Sequence, residues 1–141
     1  MTATDQFMFK ILSEEIPYQS NSEGLFECLR DLPEAIWLDS GKPRSLQGRF
    51  DIISACPQAI LETNGEQSYL LQDSHRSETQ KNPFDIATDL LSEIQPIEQP
   101  QDAPFVCGLL GYFGYDFGRQ LESIQSNKPS ATELPDLRLG L

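Results

Sequence analysis

Two stretches of this chain carry the residue types that could do chemistry. Ser40-Gly41 and Gln47-Gly48-Arg49-Phe50 stand at the two edges of a loop rich in turn-forming residues. If the edges converge, a hydroxyl, backbone N–H groups beside glycine, a guanidinium and an aromatic face meet around one small volume. Such a set suits an amino acid with its carboxylate and ring, since a guanidinium forks onto a carboxylate and a ring packs on a ring. An ordinary turn accounts for the same residues, and both readings stand at this point. The second stretch is Gly108–Arg119, with glycines at 108, 111, 114 and 118. Their spacing is not Gly-x-Gly-x-x-Gly, and no lysine with serine or threonine follows, so a phosphate-cradling loop is not indicated. Glycine in a buried strand instead lets another backbone or ring come close, and Tyr112, Phe113 and Tyr115 supply rings. Asp116 and Arg119, three apart, suit a pair on one helical turn.

No nucleophile, base and orienting group can be assembled from the remaining side chains. His75 is the single histidine and lies in a polar segment beside Arg76, as an exposed spectator would. Cys28, Cys56 and Cys107 are odd in number, far apart and without Cys-x-x-Cys spacing, which argues against a disulfide framework and against zinc. Cys107 sits in an apolar run, where a small buried hydrophobe is expected. Thiols kept reduced indicate a cytoplasmic location. Ten basic and 22 acidic residues give a net charge of −12, which repels phosphate backbones and anionic headgroups, so neither nucleic acid nor membrane is expected as a partner. No basic and apolar leader opens the chain, and no window nears the roughly 18 apolar residues of a membrane span.

Hydrophobic spacing supplies the elements that must position these residues. Phe7–Leu12 reads as a strand, and Ser20-x-x-Glu23 as a capping box before a helix near 21–30. Ala35–Asp39 and Arg49–Ile53 read as short strands. Ile60–Thr63 and Gln67–Leu71 flank Asn64-Gly65, the signature of a hairpin. Residues 73–81 read as a polar loop. Asn82 as N-cap and Pro83 at the first helical position open a helix with Ile86, Leu90 and Ile94 on one face, which Pro96 stops. A proline-rich connector, Gln95–Pro104, precedes an apolar strand, Phe105–Tyr112, expected to be buried on both faces. Asp116 would cap a short helix through Leu121 and Ile124, Gln125–Pro135 is a polar loop, and the last seven residues alternate as a strand. The order of elements predicts an α+β fold with a mostly antiparallel sheet and a few packed helices.

Taken together, Leu32-Pro33, Trp37-Leu38-Asp39-Ser40-Gly41, Arg49-Phe50-Asp51-Ile52-Ile53 with Pro57 after it, the run from Gly108 to Arg119, and Leu134-Pro135-Asp136 resemble the N-terminal region of component I of the aminodeoxychorismate synthases, the para-aminobenzoate synthase large subunits. These belong to the wider anthranilate synthase component I family. The resemblance spans nearly the whole chain in order, and implies that residues 1–141 form an N-terminal domain whose C-terminal, chorismate-binding and catalytic domain lies outside the sequence. It implies a whole protein that aminates chorismate with ammonia from a glutamine amidotransferase partner, giving 4-amino-4-deoxychorismate for folate, with magnesium at the chorismate site. No catalytic residue carries over onto this chain, and no cofactor is expected within it.

The resemblance also implies a tryptophan pocket at Ser40, Gln47, Gly48, Arg49 and Phe50, with Gln47-Gly48 standing where relatives that hold tryptophan often have Tyr-Ser. The Gly-Tyr-Asp-Phe-Gly-Arg run favours the aminodeoxychorismate branch. The N-terminal domain of anthranilate synthase component I and a stand-alone small-molecule-binding or interaction module are the alternatives. A final strand without a following turn is expected to leave an unpaired edge at Leu137, Leu139 and Leu141, with self-association or fraying as the result.

Overall fold

The computed structural model describes residues 14–41, 48–94, 104–115, 117–122 and 134–141. The expected strand at 7–12, Gln47, Asp116 and most of both proline-rich and polar connectors lie outside the described residues, as do the side chains of Arg119 and Leu121. The chain divides into two compact units, one built from residues 1–57 and 93–107, the other from 58–92 and 108–141.

In the first unit a five-residue helix, α1 (Glu23–Glu27), precedes an antiparallel pair of three-residue strands, β1 (Ile36–Leu38) and β2 (Ile52–Ser54), in the register Trp37↔Ile53. The helix is shorter than its apolar spacing suggests, and the expected Ser20/Glu23 capping box is replaced by other contacts. Asn21 Oδ1 accepts the Glu23 N–H at 3.0 Å, and Ser22 occupies the N-cap without capping through its side chain. Phe26 of α1 stacks on Trp37 at 5.4 Å between ring centres. The indole Nε1 of Trp37 is buried without a hydrogen-bond partner among the described residues.

The second unit is a five-stranded antiparallel sheet in the order β5-β4-β3-β7-β6, comprising β3 (Ala59–Asn64), β4 (Gln67–Gln72), β5 (His75–Thr79), β6 (Leu110–Phe113) and β7 (Leu137–Gly140), with helices α2 (Pro83–Ser92) and α3 (Phe117–Glu122). The α+β class with antiparallel sheets is as expected. Alternation places Ala59 and Leu61 of β3 and Leu137 and Leu139 of β7 on one face, where they pack with Ile86 and Leu90 of α2 and with Phe117. Asn82 caps α2 as expected, its Oδ1 accepting the Phe84 N–H at 2.9 Å.

Four expectations about this unit are corrected. Residues 75–79 form an edge strand instead of a loop. All five of its side chains are polar, which suits an edge in water, and the turn before it is built by Asp73 and Ser74, both at positive φ, a pairing less conspicuous than Asn-Gly. The first hairpin turns at Gly65-Glu66, because Asn64 pairs with Gln67 and only Gly65 (φ 55°) needs the left-handed region. The Phe105–Tyr112 run narrows to β6 at an edge, where Phe113 is 54% exposed, and Cys107 is exposed. Finally, the terminal strand is no edge: β7 pairs with β3 on one side and β6 on the other, and Leu137 and Leu139 are buried. The Leu137/Leu139/Leu141 alternation therefore faces a core, and it supplies no unpaired edge for fraying or self-association.

Within the core, the buried hydroxyls of Thr63 and Ser68 stand opposite each other on β3 and β4 at 2.9 Å. Ser68→Ala is expected to cost about 1–3 kcal/mol, because it strands the Thr63 hydroxyl without water. Thr63→Val with Ser68→Ala together are expected to come close to the parent stability, as measured by urea denaturation. On the opposite face, Glu62 of β3 pairs with Arg138 of β7 and lies 3.4 Å from Arg76 of β5, whose guanidinium covers the Tyr69 ring at 3.9 Å. These contacts join four strands.

Candidate amino-acid site

The loop edges singled out from sequence do meet in the first unit. The chain leaves β1 through Asp39 and Ser40 and returns through Gly48, Arg49, Phe50 and Asp51 into β2, so the antiparallel pairing brings the two edges together. Gly48 lies directly against Ser40: a Cβ at position 48 would stand 2.4 Å from the Ser40 carbonyl oxygen and 2.9 Å from its Oγ. Only glycine allows that approach. Gly41 adopts φ 75°, and its N–H donates to Asp39 Oδ1 at 2.8 Å, which fixes the start of the loop. The Arg49 guanidinium lies 5.1 Å from the centre of the half-exposed Phe50 ring. Ser40, Gly48, Arg49 and Phe50 thus lie at the same end of the β1–β2 pair, while Gln47 is outside the described residues.

Asp51 is the organising residue that sequence reading missed. Its Oδ1 accepts both the Ser40 N–H at 2.9 Å and the Ser40 hydroxyl at 2.8 Å, and its Oδ2 accepts the Ser22 hydroxyl from the start of α1 at 2.6 Å. One carboxylate therefore ties the α1 cap, the exit from β1 and the approach to β2. Hydrogen bonds to a charged acceptor are stronger than neutral ones, at about 1.5–3 kcal/mol each before solvent screening. Apolar alternation assigned Asp51 to a strand. Its partners, 29 and 11 residues away, leave no local signal. The Ser22 hydroxyl, at the N-cap of α1, donates to this carboxylate instead of capping the helix.

In the second unit Gly111 and Gly114 of the Gly108–Arg119 stretch allow the close backbone approach expected there, although at an edge strand and not a buried one, while Gly118 has no atom within 4 Å of an added Cβ. A Cβ at Gly111 would stand 2.0 Å from the Arg138 carbonyl oxygen, and one at Gly114 would stand 3.0 Å from that of Asp136. Gly114 N–H donates to the same Asp136 oxygen at 2.7 Å, and the Asp136 side chain in turn accepts the Gly65 N–H at 2.8 Å. These residues seat β7 between its neighbours. The rings of Phe84, Phe113 and Phe117 cluster beside them, with centres 5.6–6.1 Å apart.

Among the described residues no three His, Cys, Asp or Glu side chains gather as a metal site, and no helix is long and apolar enough to cross a membrane. The described residues thus hold no donor set that fits the magnesium that the resemblance implies at the chorismate site of the whole protein.

No family model matches the chain. Curated relatives do. It is 34% identical over 125 residues to aminodeoxychorismate synthase component 1 of Escherichia coli (strain K12), covering 87% of this chain and 27% of that protein. It is 32% identical over 139 residues to the same component of Salmonella typhimurium, covering 95% of this chain and 31% of that protein. Anthranilate synthase component 1 of a Synechocystis species is 31% identical over 91 residues, covering 63% of this chain and 18% of that protein. The chain spans less than a third of the length of each. This similarity runs across both compact units, so the chain is similar over most of its own length to part of aminodeoxychorismate synthase component 1, and also to part of anthranilate synthase component 1.

Proposed function

We propose that this chain is the N-terminal, non-catalytic scaffold domain of an aminodeoxychorismate synthase component 1. The observation that carries the reading is the match to relatives of that name over 87% and 95% of the chain. The whole protein would convert chorismate and ammonia to 4-amino-4-deoxychorismate in the cytoplasm, toward p-aminobenzoate and folate. The name component 1 implies a second component, and a glutamine amidotransferase is the partner that would supply the ammonia. The polar side chains of this chain hold backbone segments in place: Asp51 binds Ser22 and Ser40, and Asp136 binds the Gly65 turn. That is the work of a scaffold.

The convergence of Ser40, Gly48, Arg49 and Phe50 on the β1–β2 loop supports a second role as an amino-acid site, with tryptophan the ligand to try first. The test of the main reading is product analysis with chorismate, magnesium and ammonium. The whole protein is expected to form 4-amino-4-deoxychorismate, and the 141-residue chain to form nothing. Anthranilate as the product would move the protein to the anthranilate synthase branch, and turnover by the chain alone would sink the scaffold reading.

A further inference from the structure

We infer that the sheet of the second unit continues past β6, where the open edge and the aromatic surface beside it take an apolar strand from the remaining length of the whole protein. The inference rests on reading the chain as one domain of a longer polypeptide. The chain covers 27% and 31% of two curated relatives, so most of such a protein lies outside these residues.

The two edges of the sheet are finished differently. β5 closes one side with His75-Arg76-Ser77-Glu78-Thr79, polar throughout, which solvates an edge and deters a further strand. β6 closes the other with Leu110-Gly111-Tyr112-Phe113, which carries no charge, and among the described residues no strand lies beyond it. Its main chain is set for one. Leu141 N–H donates to the Ala59 carbonyl at 2.9 Å, and the Leu141 carbonyl accepts the Gln58 N–H at 2.8 Å. Alternation along β7 therefore turns Leu137 and Leu139 toward β3, and Arg138 and Gly140 toward β6. Their partners Tyr112 and Leu110 point inward, which leaves the N–H and C=O groups of Gly111 and Phe113 pointing outward.

The surface beside these groups is apolar. Phe113 is half-exposed and Tyr115 is 94% exposed, and Phe113 stacks on the exposed Phe84 of α2 with ring centres 6.1 Å apart. Leu91, seven residues after Phe84 and so on the same helical face, is exposed as well. A strand added along β6 would bond to Gly111 and Phe113 and cover this patch at the same time. A second copy of the chain is the poorer occupant, because each copy carries a net charge of −12 that opposes close approach.

Hydrogen–deuterium exchange of the Gly111 and Phe113 amides, compared between the 141-residue chain and the whole protein, tests the inference. Both amides are expected to exchange slower in the whole protein by roughly a hundredfold or more, since a ladder bond must open first. Tyr115→Lys is expected to leave the thermal midpoint of the chain unchanged and to lower that of the whole protein, as a charge placed in a covered aromatic contact would. Should that variant fail to fold, the exchange of the parent protein decides. Protection in the chain alone that vanishes on dilution would assign the edge to a second copy, and protection independent of concentration would assign it to this chain's own residues. Protection gained only on adding an amidotransferase would assign it to that partner, and each of these results overturns the inference. Fast exchange of both amides in a whole protein that still aminates chorismate overturns this inference alone. Should no longer polypeptide carry this sequence, the domain reading itself falls, and this inference with it.

Discussion

Leu61→Ala is expected to destabilise the protein by about 3–4 kcal/mol, the middle of the range for a buried leucine. Leu61 is 0% exposed, in the middle of β3, with Leu70 of β4 and Leu139 of β7 directly opposite on either side. Truncation removes contact with both neighbouring strands and with α2, and a strand paired on both edges cannot shift to close the gap. The expected signature is a lower urea midpoint at an unchanged slope, since the surface exposed on unfolding stays nearly the same. A loss below about 1.5 kcal/mol would show that the core collapses around the cavity, against the packing described here.

Gly111→Ala is expected to cost at least about 2–3 kcal/mol, the scale of overpacking that the backbone cannot avoid. The added methyl would meet the Arg138 carbonyl oxygen at 2.0 Å, and that atom belongs to the backbone of a strand held from its other side by β3. A flexible side chain could swing away; this oxygen cannot. Gly118→Ala is the control. It lies in α3 with no atom within 4 Å of the added methyl, and the same substitution there is expected to be neutral or to stabilise by up to about 1 kcal/mol. Equal effects at the two positions would refute the close approach of β6 to β7. Both variants can be measured by thermal and urea unfolding.

How much of this was legible in the sequence depended on whether the cause was local. Asn82-Pro83 announces α2 because cap and first turn are set by adjacent residues, and Asn64-Gly65 announces the hairpin to within one residue. The β5 strand was not legible, since an edge strand in water needs no apolar alternation and His75–Thr79 has none. The position of β7 was not legible either. A pattern of Leu137 and Leu139 specifies a buried face and says nothing about which strands lie on either side. In the candidate site, residue types gave Ser40, Gly48, Arg49 and Phe50, but the carboxylate that holds Ser40 and Ser22 became visible only once segments 11 and 29 residues apart were brought together.

The placement of β7 inside the sheet, between β3 and β6, also sets an order of events in folding and opening. β3, β4 and β5 join through two short turns and can form as a local meander, whereas Glu62 and Arg138, neighbours in the finished sheet, are 76 residues apart in the chain. Closing that distance is the slow, entropically costly step, and until it occurs β3 stands as an edge. Among the described strands β6 has no ladder partner except β7. Any fluctuation that releases β7 therefore frees β6 as well, so amide-exchange protection in β6 is bounded by that of β7, while the meander can persist beyond both.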